Sequence, residues 1–137
     1  MKTIYPVIFT QVKDCVLIEV PDLEILTEGK DMADAIDMAR DAIGLKGISL
    51  KDDKTDIPAP SNFKDVDPKK GTFANEGESY VSLVDIDFVE YRRKNDNKTV
   101  RRNVTLPNWL NQEAESAHLN VSRVLQEALM QKLGVSR

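Results

Sequence analysis

The 137-residue sequence contains one cysteine, one histidine and one tryptophan, and its apolar residues form no long uninterrupted run. A membrane-spanning helix needs about 18 or more consecutive apolar residues, so no membrane span is predicted. The lone Cys15 excludes a disulfide within the chain and is typical of a protein from the reducing cytoplasm. The first residues also lack the apolar core of a signal peptide. These absences together predict a cytoplasmic protein.

Motifs that would bind a cofactor or support catalysis are also missing. No Walker motif, GxGxxG motif or zinc-ligand spacing is present, so we predict no cofactor and no bound metal. A two-metal nuclease would need several converging carboxylates, and those available are Asp14, Glu19, Asp22, Asp85 and Asp87. Asp85 and Asp87 alternate with apolar residues, as in a half-exposed strand, and no histidine or lysine joins them at a suitable spacing. We therefore predict that the protein is not an enzyme.

The charge is unevenly distributed along the chain, whose formal net charge is −4. Residues 1–90 hold 10 Lys and Arg against 19 Asp and Glu, a net of −9, and residues 91–137 hold 9 against 4, a net of +5. An acidic part joined to a basic part indicates two partners of opposite charge. The basic part suits a nucleic acid, and the acidic part would attract a basic protein.

A short strand is predicted over residues 98–106, where side chains of two kinds alternate between the two faces. One face is apolar apart from Arg102 and consists of Val100, Val104 and Leu106. The other face carries donors and acceptors that suit the edges of bases, and it consists of Arg101, Asn103 and Thr105. Pro107 ends the strand and can begin a helix, because its missing N–H would be unpaired there in any case.

Two helices are predicted after this strand. In the first, Leu110, Ala114 and Ala117 fall at i, i+4 and i+7. Asn120 is a suitable N-cap for the second helix, and Gly134 is suited to end it. The second helix has a continuous apolar stripe, which consists of Val121, Val124, Leu125, Ala128, Leu129 and Leu133.

The strand and the two helices resemble a ribbon-helix-helix DNA-binding module. A module of roughly 35–40 residues rarely buries enough surface alone, and a lone strand leaves both edges unpaired. The resemblance implies a dimer in which two copies pair their strands, and the ribbon enters the major groove. Its predicted core consists of Val100, Val104, Leu106, Leu110, Val124, Leu125, Ala128 and Leu129. The predicted DNA contacts are Arg101, Asn103, Thr105, Asn120, Val121, Ser122 and Arg123. The alternative is an ordinary β-α-α fragment packed on its own domain.

The first part of the chain predicts three strands followed by a helix. The strands are expected over residues 4–10, 15–20 and 24–28, and Pro6 indicates that the first is an edge or bulged strand. Asp31 is a suitable N-cap for the helix, with Asp34 three residues later in a weak capping box.

The remaining face of this helix is mainly acidic and carries Asp34, Asp37, Asp41 and Arg40. It is interpreted either as a solvated surface or as a docking face for a basic partner. Gly44 and Gly47 are interpreted as a pair that ends the helix.

The middle of the chain predicts a long connection and a fourth strand. Residues 51–79 lack a strand or helix pattern, and we expect packing or a partner to order part of them. Residues 80–91 are rich in Val, Ile, Leu and Phe and predict a long strand. Residues 92–98 are charged and polar and predict a linker.

Taken in order, several motifs resemble those of HicB-type antitoxins. They are Tyr5-Pro6, Val20-Pro-Asp-Leu23, Thr27-Glu-Gly29, the helix with Ala35, Ala39 and Ala42, and Ile57-Pro-Ala-Pro-Ser61. The resemblance covers nearly the whole chain. It implies an α+β fold in which a β-β-β-α-β partial RNase H-like domain, residues 1–91, precedes the linker and a ribbon-helix-helix domain, residues 99–137. One departure follows the second strand, where relatives often have Pro-Asp-Leu-Pro-Gly-Cys and residues 21–26 are Pro-Asp-Leu-Glu-Ile-Leu.

The resemblance also implies partners and a function. The first domain would bind and neutralise a small basic HicA-type toxin that cleaves messenger RNA. The second would form a homodimer or a higher assembly and repress its own operon by binding operator DNA. The acidic first part of the chain fits the first role independently. Two alternatives stay open: a stand-alone ligand-responsive ribbon-helix-helix repressor, and a plain dimerisation protein.

Overall fold

The computed structural model describes residues 2–96 and 98–135, and the chain divides into two compact units, residues 1–97 and 98–137. The N-terminal unit contains β1 Thr3–Gln11, β2 Val16–Val20, β3 Ile25–Gly29, α1 Met32–Asp52, β4 Glu78–Ile86 and α2 Phe88–Asn95. The C-terminal unit contains α3 Asn108–Ser116 and α4 Val121–Leu133. The fold is therefore α+β, and the predicted order β-β-β-α-β is present. Within the described ranges, none of the helices is long and apolar enough to cross a membrane.

The four strands form one antiparallel sheet in the order β3-β2-β1-β4, and α1 packs against one of its faces. Alternate side chains of β2 are buried, as expected for a strand with one face in the core. Burial of apolar surface at about 25 cal/mol per Å² is the main favourable contribution to folding. The core consists of Tyr5, Val7, Phe9, Val16, Ile18, Val20, Leu23, Ala35, Ala39, Ile43, Val84 and Ile86.

β1 is an inner strand, contrary to the edge or bulged position predicted from Pro6. It pairs with β4 along its whole length, but it pairs with β2 only from Ile8 to Gln11. Pro6 faces Leu83 of β4 and precedes the β1–β2 ladder. The proline thus lies where β1 is paired on one side, which is compatible with its missing N–H. Around Pro6, β1 is paired on one side only, as a proline in a strand predicts, but β1 as a whole is an inner strand of the sheet.

α1 begins where it was predicted to begin. Asp31 is the N-cap, and its side chain accepts a hydrogen bond from N of Asp34 at 2.8 Å. The carboxylate of Asp34 in turn accepts from N of Lys30 at 2.8 Å. Two N–H groups at the start of the helix are satisfied in this way, as the capping pattern indicated.

α1 does not end at Gly44 and Gly47, so that prediction is wrong. The helix continues to Asp52, and both glycines are buried within it. A Cβ at Gly44 would lie 2.5 Å from Cδ2 of Tyr91, and a Cβ at Gly47 would clash with the ring of Phe88. The two glycines are therefore required by the close approach of α2, and not by the end of a helix.

The predicted long strand over residues 80–91 ends at Ile86, and its last part is helical. Asp87 is the N-cap of α2, and its side chain accepts from N of Glu90 at 3.1 Å. The helix extends to Asn95, so residues 92–95 of the predicted linker are also helical. Aspartate followed three residues later by glutamate is a start signal for a helix, and it was available in the sequence.

The connection between α1 and β4 is ordered by its own contacts with the sheet. The hydroxyl of Tyr5 donates to O of Pro58 at 2.6 Å. N and Oγ1 of Thr72 both donate to the carboxylate of Glu19 at 2.8 Å. Two short 3-10 turns lie in this connection, at Phe63–Asp65 and Pro68–Lys70. Packing therefore orders the connection, which was one of the two expectations for it.

Candidate functional site

α4 in the C-terminal unit has both of its predicted caps. Oδ1 of Asn120 accepts from N of Arg123 at 3.1 Å, as expected for an N-cap. At the other end Gly134 has a φ of 69°, a left-handed conformation that glycine adopts without a steric penalty. N of Gly134 donates to O of Gln131 at 3.2 Å. The predicted bounds of this helix are confirmed.

The apolar stripe of α4 is exposed in the single chain. Leu125 is 38% exposed, Leu129 52% and Leu133 72%. The rest of the stripe is also exposed, namely Val121, Val124 and Ala128. An amphipathic helix normally turns such a stripe towards a core, and contiguous exposed apolar surface marks an interaction site. The stripe is available for the shared core that was predicted between two copies.

The segment predicted as a strand makes no ladder within the single chain. Residues 98–107 precede α3, and they form no strand. A ladder requires a second strand, and the elements of this unit in residues 98–135 are helices. Pairing with a second copy therefore stays a prediction. The apolar side chains of the segment are free to enter such a pairing, since Val100 is 88% exposed, Val104 51% and Leu106 39%.

The predicted DNA-contacting residues occupy two exposed places in this unit. One place is the segment before α3, with Arg101, Asn103 and Thr105. The other is the start of α4, with Asn120, Val121, Ser122 and Arg123. The amide oxygen of Asn120 is used by the helix as its cap, so this residue shapes the start of α4 as well as lying on the surface.

Arg123 has an acidic neighbour that the sequence-based prediction omitted. Its Nε lies 3.1 Å from Oε1 of Glu127, one turn further along α4. The two side chains are 67% and 56% exposed, and an exposed pair at this spacing contributes only about 0.3–0.5 kcal/mol. A phosphate group could therefore replace the carboxylate. The i, i+4 spacing of opposite charges was the signal that indicated this pair.

α3 also presents apolar side chains that the single chain leaves uncovered. The helix follows Pro107, whose carbonyl accepts from N of Leu110 and N of Asn111, both at 3.1 Å. Leu110, a residue of the predicted dimer core, is 40% exposed. Trp109, which was not assigned to that core, is 67% exposed and adds to the apolar surface of the unit.

In the N-terminal unit, four of the five carboxylates that were considered as metal ligands form hydrogen bonds with other parts of the protein. The partners are Thr72 for Glu19, Ser61 for Asp22, Lys2 and Arg40 for Asp85, and N of Glu90 for Asp87. Hydrogen bonds from Lys2 and then Arg40 are the main causes that lower the pKa of Asp85. In residues 2–96 and 98–135, no group of three or more His, Cys, Asp or Glu side chains could hold a metal ion.

The acidic and basic parts of the chain correspond to the two units. The difference in net charge between them is smaller than predicted, because α2 belongs to the N-terminal unit. Residues 1–97 hold 13 Lys and Arg against 20 Asp and Glu, a net of −7. Residues 98–137 hold 6 against 3, a net of +3. Three basic residues of the predicted basic part, residues 91–137, lie on α2: Arg92, Arg93 and Lys94. The contrast is smaller than predicted, and its sign is unchanged.

The fold of the chain is similar to that of two solved chains from toxin–antitoxin systems. Over 96% of its length it is similar to 99% of a chain from a toxin–antitoxin complex of Streptococcus pneumoniae, with a TM-score of 0.59 and 22% identity. The chain is also similar, over 96% of its length, to 97% of the antitoxin HicB of Burkholderia pseudomallei, with a TM-score of 0.52 and 22% identity. At this level of identity the similarity establishes the fold alone.

The family follows from the sequence. The model of the HicB-like antitoxins of bacterial toxin–antitoxin systems matches residues 5–129, and the chain belongs to this family. The match includes most of both units. A comparison with the curated proteins finds no match. The resemblance to HicB-type antitoxins that the motifs of the N-terminal part indicated is confirmed.

Proposed function

We propose that this protein neutralises a small basic toxin that cleaves messenger RNA and represses its own operon. The N-terminal unit binds the toxin, and the C-terminal unit forms a dimer that binds operator DNA. The observation that carries the proposal is the match of the HicB-like antitoxin family to residues 5–129, which include most of both units.

The charge of the N-terminal unit supports a basic protein as its partner. Its net charge of −7 would repel DNA and attract a basic toxin over the distance set by the ionic strength. The S. pneumoniae relative was solved as part of a toxin–antitoxin complex. Neutralisation then requires only that the bound antitoxin covers the surface with which the toxin contacts RNA.

The apolar surface of the C-terminal unit supports a dimer. The stripe on α4 and the apolar side chains of residues 98–106 are exposed together in a unit of 40 residues. A domain of this size rarely buries enough surface alone, and pairing two copies would cover both features. Two paired segments would form a ribbon with Arg101, Asn103 and Thr105 on one face, and a ribbon of this kind fits the major groove.

Co-expression with the neighbouring gene tests the toxin-binding role. The product of a short basic reading frame next to this gene should stop growth when expressed alone, and the full chain should restore it. A chain that ends at Asn97 keeps the whole of α2 and should also protect, because it contains the complete N-terminal unit. If that shorter chain is folded and fails to protect, the assignment of toxin binding to this unit is wrong.

Binding to the DNA upstream of the gene tests the second role. The full chain should shift this DNA at a concentration at which it leaves unrelated DNA of equal length unshifted. A chain that binds both DNAs equally would contradict specific repression, since non-specific binding comes from phosphate contacts alone.

A further inference from the structure

One exposed stripe of α1 alternates acidic and apolar side chains. Its residues follow one another by four, three and four positions, and they are Asp34, Met38, Asp41 and Leu45, here called the α1 stripe. This spacing keeps them on one side of a helix. The opposite side packs on the sheet through Ala35, Ala39 and Ile43. Met38 is 38% exposed and lies between Asp34 and Asp41, and Leu45, which follows Asp41 by one turn, is 56% exposed.

The carboxylates of the α1 stripe are held in place by uncharged donors. Asp34 accepts from N of Lys30 at 2.8 Å, and Asp41 accepts from the hydroxyl of Tyr91 at 2.6 Å. These contacts fix the position of each carboxylate without supplying a positive charge. The fixed positions lower the entropy that would be lost when a partner binds.

The basic residues of α1 lie off the stripe. They are Arg40, Lys46 and Lys51, and none follows a stripe residue by three or four positions. Arg40 is directed to Asp85 at the end of β4. Its Nε donates to the backbone O of Asp85 at 3.0 Å, and its Nη2 donates to Oδ1 of Asp85 at 3.1 Å. The stripe therefore presents negative charge and apolar surface together, on a helix of 21 residues.

We infer that the α1 stripe is the surface on which the basic toxin docks, with Met38 and Leu45 against apolar side chains and Asp34 and Asp41 against Lys or Arg. This inference rests on the proposed function and names the surface that performs it. Charge complementarity favours a basic protein over DNA or a second acidic copy of the N-terminal unit. A few central residues carry most of the binding energy in protein interfaces, and charges at the rim mainly set the rate of association.

Titration with the purified product of the neighbouring basic reading frame, in an inactive form, tests the apolar part. Leu45→Arg in the full chain should weaken binding roughly tenfold or more, because it places a cation against a basic partner and removes an apolar contact. Leu26→Arg is the matched control, since Leu26 is 55% exposed on β3. Leu26 lies one position from Ile25, which packs on the core, and so points to the other face of the sheet. The control should bind within about twofold of the wild type.

An unchanged urea midpoint would show that both variants are folded, and arginine is a good helix former at an exposed position. The inference is wrong if Leu45→Arg binds within about twofold of the wild type, or if the two variants are weakened equally. A wild-type chain that does not bind the toxin at all would overturn the proposed function as well. The two failures can therefore be distinguished.

The association rate tests the acidic part. The double variant Asp34→Asn and Asp41→Asn keeps an oxygen acceptor at each position and removes two charges. It should associate several times more slowly and with a weaker dependence on salt. The double variant Asp56→Asn and Asp65→Asn, at exposed positions of the connection before β4, removes the same charge. Equal slowing of both would show that only the net charge matters and would overturn the role of the α1 stripe.

Discussion

Tyr91 packs its ring against the backbone of Gly44 so closely that a Cβ at Gly44 would lie 2.5 Å from Cδ2 of Tyr91. Gly44 is in the interior of α1, where glycine is less stable than alanine by roughly 0.5–1 kcal/mol. Helix propensity and packing therefore predict opposite effects of the same substitution. If α2 is held firmly on α1, the contact with Tyr91 outweighs helix propensity, and alanine at position 44 destabilises the protein.

Gly44→Ala should destabilise the protein by roughly 1–3 kcal/mol, because the added methyl group forces α2 away from α1. Urea unfolding followed by circular dichroism measures this. In a Tyr91→Ala background the same substitution should be neutral or stabilising by up to about 1 kcal/mol. A stabilised Gly44→Ala single variant would show that α2 does not pack there.

The hydroxyl of Tyr91 makes stability depend on pH at the alkaline end. Burial first, and then the hydrogen bond to Asp41, raise the pKa of Tyr91 from 10.0 to about 12. The neutral hydroxyl is favoured in the folded state, so this stability is fully present below about pH 10. It is lost as the pH rises from about 10 to about 12, where the unfolded chain loses the proton first. Tyr91→Phe should lose less stability than the wild type over this range, and parallel curves would contradict the assignment.

The parts of the fold that could be predicted are those with a strong local signal. The caps Asn120 and Gly134 gave the bounds of α4, since each residue type suits one end of a helix for a local reason. The strand expected over residues 15–20 is similarly present as β2, Val16–Val20. Local signals of this kind do not depend on any distant contact.

The mispredicted parts depend on contacts between distant residues. Gly44 and Gly47 have the composition of a helix end, and only the rings of Tyr91 and Phe88 explain them within a helix. The apolar residues of α2 continue the pattern of β4. For this reason the sequence predicts a strand that runs past Asp87, where the structure has the N-cap of a helix. In the C-terminal unit the side chains of residues 98–106 are exposed and form no ladder within one chain, so the predicted pairing with a second copy stays a prediction.

The dimer predicted for the C-terminal unit can be tested on α4. Leu125→Asp should convert a dimer into a monomer, because it places a charge in the apolar surface that two copies would share. Gln126→Asp is the matched control, since it adds the same side chain to the neighbouring position outside the stripe. Light scattering at micromolar concentration distinguishes a dimer from a monomer for each variant. A wild-type chain that is a compact monomer under these conditions would contradict the dimer.

The last prediction concerns how the C-terminal unit distinguishes one DNA sequence from another. Arginine can donate to both acceptors of guanine, so Arg101→Ala should cost roughly 1–3 kcal/mol on the operator and relax the preference at one position per half-site. Arg123 lies in the first turn of α4 and is proposed to contact a phosphate after leaving Glu127, 3.1 Å away. Arg123→Ala should therefore weaken binding to all sequences and reduce the salt dependence by about one unit per protomer. Titrations on the upstream DNA at several salt concentrations separate the two effects. If Arg101→Ala keeps the specific affinity of the wild type, the segment before α3 does not contact the bases.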